Sequence, residues 1–258
     1  MALAARRGVA VLAITDHDTT SGVGAARAAA EAHGVEVVAG VELACENGEA
    51  RADLLGYIVD PEDAALSRLL ADIRLARDAR ARVMVARLQA LGAPIDYDDV
   101  AARSGGGSIG RPHVAHALVA MGFVEDVAGA FRDYLGVGAP AYAERYKLSP
   151  AEGCRAIRAA GGVPVVAHPV PPGDPRRDPL RLRSFLGPLV ASGLGGLECY
   201  YPGYTPPVHR WLEALAGHFG LVPTGGSDFH GPWRPENALG SVPVPPDTLD
   251  RLRAARAA

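Results

Sequence analysis

Cysteine is scarce. Cys45, Cys154 and Cys199 are the only three, widely spaced and odd in number. That argues against a disulfide framework or a zinc ribbon and points to a reducing compartment. No apolar run is long enough to cross a bilayer, and no signal-like apolar stretch follows Arg6 and Arg7. Charge of neither sign dominates. A net charge of −3 gives no global attraction for nucleic acid, so stable duplex DNA binding is not expected, although a local basic pocket remains open. Internal repeats are absent, and low complexity is confined to alanine-rich stretches. A cytoplasmic protein without a membrane partner is the expectation, and the oligomeric state is left open.

The chain does have the size and composition of a folded protein. Its 258 residues, 48% hydrophobic and 21% charged, can bury one α/β barrel or one domain carrying a smaller one. Residues 221–231, LVPTGGSDFHG, carry the densest signal. An apolar strand runs into a glycine turn and then delivers Asp228 and His230, a carboxylate and an imidazole two residues apart. In an extended segment both point the same way and can converge on one ion. A strand-end turn with a solvated acid and a surface histidine fits this segment equally well on its own.

The remaining strands repeat the pattern. VAVLAIT (9–15) is a continuous apolar run suited to a strand buried on both faces, and it ends in Asp16, His17 and Asp18. Asp16 and Asp18 flank His17 and can either orient ligands from behind or cap the helix that follows, capping being the reading preferred for Asp18. VEVVAGVEL (35–43) ends near Glu42, and a turn at 46–49 returns the chain through 52–60, which would bring Asp53 back beside Glu42. Residues 62–145 read as a small helical domain inserted between two barrel parts, 1–61 and 146–258. After it, VPVVA (163–167) delivers His168, and GLECY (196–200) ends in Tyr200, with Tyr201 and Tyr204 just beyond it. His33, His209 and His218 sit in or at the ends of helices and read as structural, as does His116.

Each conspicuous histidine or acid thus falls at a strand end. In a β/α barrel those ends share one face, where functional groups gather. Singly, any of them could be a helix cap or a core histidine; together they point to a mixed imidazole and carboxylate metal centre. Donors of this kind, without thiolate, suit Mn²⁺, Zn²⁺, Fe²⁺ or Mg²⁺. Clustered ions of that type lower the pKa of bound water and neutralise phosphoryl oxygens, which is what cleaving a phosphate ester requires.

The motifs ITDHDT (14–19), GVEL (40–43), AHP (167–169) and GSDFHG (226–231) resemble those of the PHP (polymerase and histidinol phosphatase) superfamily. GRPHVAHALV (110–119), AAGGVPVVAHP (159–169) and LECYYPGYTP (197–206) are similar to its bacterial branch of 3′,5′-nucleoside bisphosphate phosphatases and 5′→3′ exoribonucleases. The resemblance covers nearly the whole chain. It implies an α/β fold, a distorted seven-stranded β/α (TIM-like) barrel with a helical insertion. It also implies about two or three divalent ions, Mn²⁺ foremost. His17, Glu42, His168, Asp228 and His230 match the family's ligands, and Asp53 stands where the family usually has histidine. The implied activity is hydrolysis of a phosphate ester of a small nucleotide, or of the 5′ end of an oligoribonucleotide, with Asp16 beside the ligands His17, His168, Asp228 and His230 as catalytic residues. The alternatives are a phosphatase of a non-nucleotide metabolite such as histidinol phosphate, or a metal-poor fold kept as a binding module. Arg111, His113, Arg145 and Lys147 are candidates for the substrate phosphate, because guanidinium forks match phosphate oxygens, and Tyr201 for stacking on a base.

One family feature is missing. The family opens with a strand bearing an H-x-H motif, and no H-x-H occurs in this chain. MALAARRG reads as the tail of a helix, which implies a strand before it. The expectation is that roughly 25–35 further N-terminal residues complete the barrel, and that the chain as given binds metal weakly and has little activity.

Overall fold

The structure is a computed structural model, and it describes residues 1–48, 50–144, 146–170 and 179–257. Within these the chain divides into two compact units, one made of Met1–Ser67 with Leu148–Ala258, the other of Arg68–Lys147. No helix among the described residues is long and apolar enough to cross a membrane.

The first unit is a curled, mixed sheet dressed with helices. Its six strands are β1 (Val11–Ile14), β2 (Glu36–Asn47), β3 (Ala50–Tyr57), β4 (Val163–Val166), β5 (Gly196–Tyr200) and β6 (Val222–Gly225), lying side by side in chain order. β1 is parallel to β2, β3 runs antiparallel between β2 and β4, and β5 and β6 continue parallel to β4. Every strand except β3 therefore points the same way, and the start of β3 lies at the end where the others finish. α1 (Ala2–Arg6) precedes β1 and α8 (Pro179–Ala191) precedes β5, while α2 (Gly22–Glu31), α7 (Pro150–Ala159) and α9 (Pro206–His218) pack against the sheet. Ser149 and Glu152 start α7 with a reciprocal capping box.

Alternation along the strands sorts the two faces. Val41, Leu43, Leu54, Val166, Leu197 and Cys199 are fully buried on one. On the other, Val38, Leu55, Tyr57, Val163, Val165 and Val222 make an apolar layer, joined by Leu252 of α10 (Thr248–Ala257). The same alternation continues this second face upward into Glu42, Asp53, Glu198 and Thr224, so its apolar floor carries a polar rim. β1 departs from the expected strand buried on both faces. It is half-buried, with Val11 43% exposed, because among the described residues it is an edge strand paired with β2 alone.

The second unit is helical, with α4 (Tyr97–Arg103), α5 (Arg111–Ala120) and α6 (Val127–Ala130) around a core that includes Met84, Leu88, Ile95, Val114, Leu118 and Leu135. α3 (Ala64–Ala90) begins before the unit boundary and contributes Met84 and Leu88.

Candidate metal centre

Glu42 is the hub. It sits within β2, almost wholly buried, and His17 forms a parallel bridge beside it. The bridge is fixed from both sides. The Glu42 N–H donates to the Asp16 carbonyl at 3.1 Å, and the Asp18 N–H donates to the Glu42 carbonyl at 2.9 Å. His17 Nδ1 then lies 3.4 Å from Glu42 Oε2, and His168 Nε2 lies 3.4 Å from Oε1. Asp53 arrives from β3. The register pairs Glu42 with Leu55 and Asp53 with Ala44, so Asp53 is the diagonal neighbour of Glu42 on the same face. Donor atoms of Glu42, Asp53 and His168 fall within 4.8 Å of one another.

His168 is held there against its backbone preference. It takes φ 29, a left-handed conformation costly for a non-glycine residue and disfavoured again by the following Pro169. Two hydrogen bonds hold it in that conformation. The Ala167 N–H donates to the Asp53 carbonyl at 2.9 Å, and the His168 N–H donates to Glu198 Oε2 at 2.6 Å.

The Asp228 segment forms a second cluster. Gly225 passes β5 so closely that an added Cβ would stand 2.4 Å from the Tyr200 carbonyl oxygen, so only glycine fits. The extended conformation expected for Asp228 and His230 fails here, since Asp228 takes φ 48 and the segment turns. The two side chains still meet, with His230 Nδ1 3.3 Å from Asp228 Oδ1 and 2.8 Å from its carbonyl oxygen. The imidazole thus leans on its own acid. The rings of His230 and His17 lie 6.1 Å apart, so the ends of the first and last strands come together and the sheet must curl. Asp228 Oδ2 accepts from the Tyr201 hydroxyl at 2.8 Å and pairs with Arg234.

The charges explain themselves by burial and neighbours. Burial alone would raise the Glu42 carboxyl, but His17, His168 and His230 outweigh it and hold it below the ordinary range. Asp53 goes the other way, raised by burial and by the Glu42 charge against the pull of His168 and His17. Burial works against a charged His168, yet the hydrogen bond and charge of Glu42, with Asp53 and Glu198, lift it to about 9. Burial pushes Glu198 up to about 8 and raises Asp16 as well. A buried Glu42 charge that raises the neighbouring Asp53, with the His168 imidazolium beside both, makes a donor set that a cation completes. The residues fit a divalent ion with oxygen and nitrogen ligands.

Other candidates have different surroundings. Asp18, expected to cap a helix, is fully buried, and α2 begins only at Gly22 with Ser21 at its N-cap position. Tyr201 spends its hydroxyl on Asp228, with its ring edge-on to His168 at 5.6 Å. Arg111, His113 and Lys147 belong to the helical unit. There the Arg111 guanidinium donates to the Leu135 carbonyl at 3.3 Å and lies over the Phe131 ring, and His113 Nδ1 accepts the Gly110 N–H at 2.9 Å, capping α5. Arg145 lies outside the described residues. Sequence reasoning passed over Glu198 and Arg234. An acid inside the apolar run GLECY was the available signal for the first; nothing marked the second.

No family model matches the chain. Over 230 residues it is 34% identical to the 3′,5′-nucleoside bisphosphate phosphatase of Chromobacterium violaceum, spanning 89% of this chain and 80% of that protein. The chain belongs to the PHP-type metal-dependent phosphoesterases. A 5′-3′ exoribonuclease of Haemophilus influenzae is 33% identical over 227 residues, which cover 88% of this chain and 81% of that one. A solved structure from Bifidobacterium adolescentis, assigned as a metal-dependent phosphoesterase, matches with a TM-score of 0.85 at 36% identity, over 98% of this chain and 88% of its own. The PHP-type chain described here is therefore a phosphoric ester hydrolase.

Proposed function

We propose that this enzyme hydrolyses a phosphate ester of a small nucleotide, such as a 3′,5′-bisphosphonucleotide, or of the 5′ end of an oligoribonucleotide. The observation that carries the reading is the convergence of Glu42, Asp53 and His168 donor atoms within 4.8 Å, in a chain whose relatives act on such esters. In this reading Glu42, Asp53 and His168 hold a divalent cation, and His17, Asp228 and His230 complete the set for about two or three ions, Mn²⁺ foremost. Such cations supply a water of lowered pKa and neutralise phosphoryl oxygens.

The protein's own groups have the remaining tasks. Asp16 orients His17 from behind. Glu198 fixes the His168 backbone and so the direction of its imidazole. The residues 62–145 act as a helical insertion on the barrel, with Arg111, His113, Arg145 and Lys147 assigned to the substrate phosphate and Tyr201 to the base.

Phosphate release from a 3′,5′-bisphosphonucleotide, a 5′-phosphorylated oligoribonucleotide and histidinol phosphate, each with Mn²⁺ and with chelator, tests the reading. Mn²⁺-dependent release that slows when the base is removed is expected. Equal rates in chelator, or a preference for histidinol phosphate, would overturn it.

A further inference from the structure

Arg234 follows the short turn after His230 and pairs through Nη1 with Asp228 Oδ2. The two partners are unlike. The Asp228 side chain is only 17% exposed, whereas that of Arg234 is 45% exposed. Asp228 is also pinned. Its backbone is left-handed, its carbonyl meets His230 Nδ1 and the Asn237 side-chain amide, and the Tyr201 hydroxyl shares the oxygen that Arg234 contacts. A long, half-exposed arm therefore rests on a rigid, mostly buried acid at the rim of the candidate metal centre.

An ion pair of that exposure couples weakly, on the order of 1 kcal/mol or less. Its function can then be neutralisation by the nearest available cation. A phosphate monoester carries close to two negative charges and presents oxygens that a guanidinium fork meets bidentately, a stronger partner than one carboxylate oxygen shared with a tyrosine. We propose that Arg234 is a phosphate-binding residue that exchanges partners. It neutralises Asp228 in the metal-free protein and turns to the phosphoryl oxygens of a phosphate monoester in the metal-loaded one. This rests on the proposed function, because it requires Asp228 to serve a cation.

The exchange makes two predictions of opposite sign. Arg234 competes with a metal ion for Asp228 and cooperates with it for phosphate. In Arg234→Gln, Mn²⁺ affinity measured by calorimetry should be equal or several-fold tighter. Affinity of the Mn²⁺-loaded protein for inorganic phosphate should fall about tenfold or more, with KM for the ester rising in step and kcat changing less. Arg234→Lys, which keeps the charge without the fork, should fall between. Unchanged phosphate affinity would reduce the contact to a surface ion pair, and Mn²⁺ affinity lowered by the same factor would make it structural; either overturns the exchange. If the unaltered protein shows no Mn²⁺-dependent phosphate release, the underlying reading fails and the exchange falls with it. If release is intact and Arg234→Gln matches it in both affinities, the exchange alone fails.

Discussion

Removing the His168 imidazole should erase most of the thermal stabilisation that a divalent ion gives this protein. An ion that binds only the folded state stabilises it by about 2.7 kcal/mol at a hundredfold excess over Kd. For a folded unit of this size that is a rise in Tm of roughly 5–10 °C, at about 2–4 °C per kcal/mol. His168→Ala leaves Glu42 and Asp53 without the third donor of their cluster. Losing an outer partner of a ligand already costs about 10–100-fold in metal affinity, and losing the ligand costs at least that. The same ion concentration is then about one to ten times Kd, and the stabilisation shrinks to at most about 1.4 kcal/mol. The metal-free variant should also melt lower, since Glu42 loses one of its two imidazole partners at 3.4 Å while Asp53 stays beside it. The diagnostic quantity is therefore the metal-induced shift and not the absolute Tm. Melting both proteins in chelator and in Mn²⁺ measures it. Equal shifts in the two would refute His168 as a ligand.

Metal binding should release protons. His168 is lifted to about 9 in the metal-free protein, so it is charged at pH 7 and must lose its proton to become a ligand. Affinity should accordingly rise with pH from 6 towards 9, and calorimetry in buffers of different ionisation enthalpy should detect the released proton; buffer-independent heats would contradict this. The sign for stability is opposite. A raised histidine pKa contributes stability that is complete below about 6.5 and is lost as pH rises through about 9, so the melting temperature in chelator should drift downward over that window. Glu198→Gln keeps an acceptor for the His168 N–H and should stay within about tenfold of normal Mn²⁺ affinity, whereas Glu198→Leu should lose more than that; equal affinities in the two would remove Glu198 from positioning His168. Arg111→Ala should raise KM for phosphorylated substrates with little change in kcat, and an unchanged KM would take Arg111 out of substrate binding.

Local patterning made much of the sheet legible. Continuous apolar runs bounded by glycine marked β2, β4, β5 and β6, and the turn near residue 48 placed Asp53 on the face of Glu42. What failed depended on tertiary surroundings. The run VAVLAIT looks buried on both faces, yet among the described residues β1 has one neighbouring strand and is half open to solvent. Asp228 and His230 meet through a left-handed turn that their spacing does not announce. Asp18 carries a capping residue's identity and is instead buried in front of α2. Glu198 was hidden because attention to strand ends passes over an acid within a strand. Its meaning appears only when β4 brings the His168 N–H to it. The pairing of Arg234 with Asp228 spans a turn and leaves no periodic trace.

The central claim is that Glu42, Asp53 and His168, with their neighbours, hold divalent ions that cleave a nucleotide phosphate ester. The most direct test is metal stoichiometry measured together with phosphate release from a 3′,5′-bisphosphonucleotide, on the same preparation before and after chelation. The account predicts bound divalent ion and phosphate release that vanish together on chelation and return together with Mn²⁺. Phosphate release that persists after the ion is gone would contradict it.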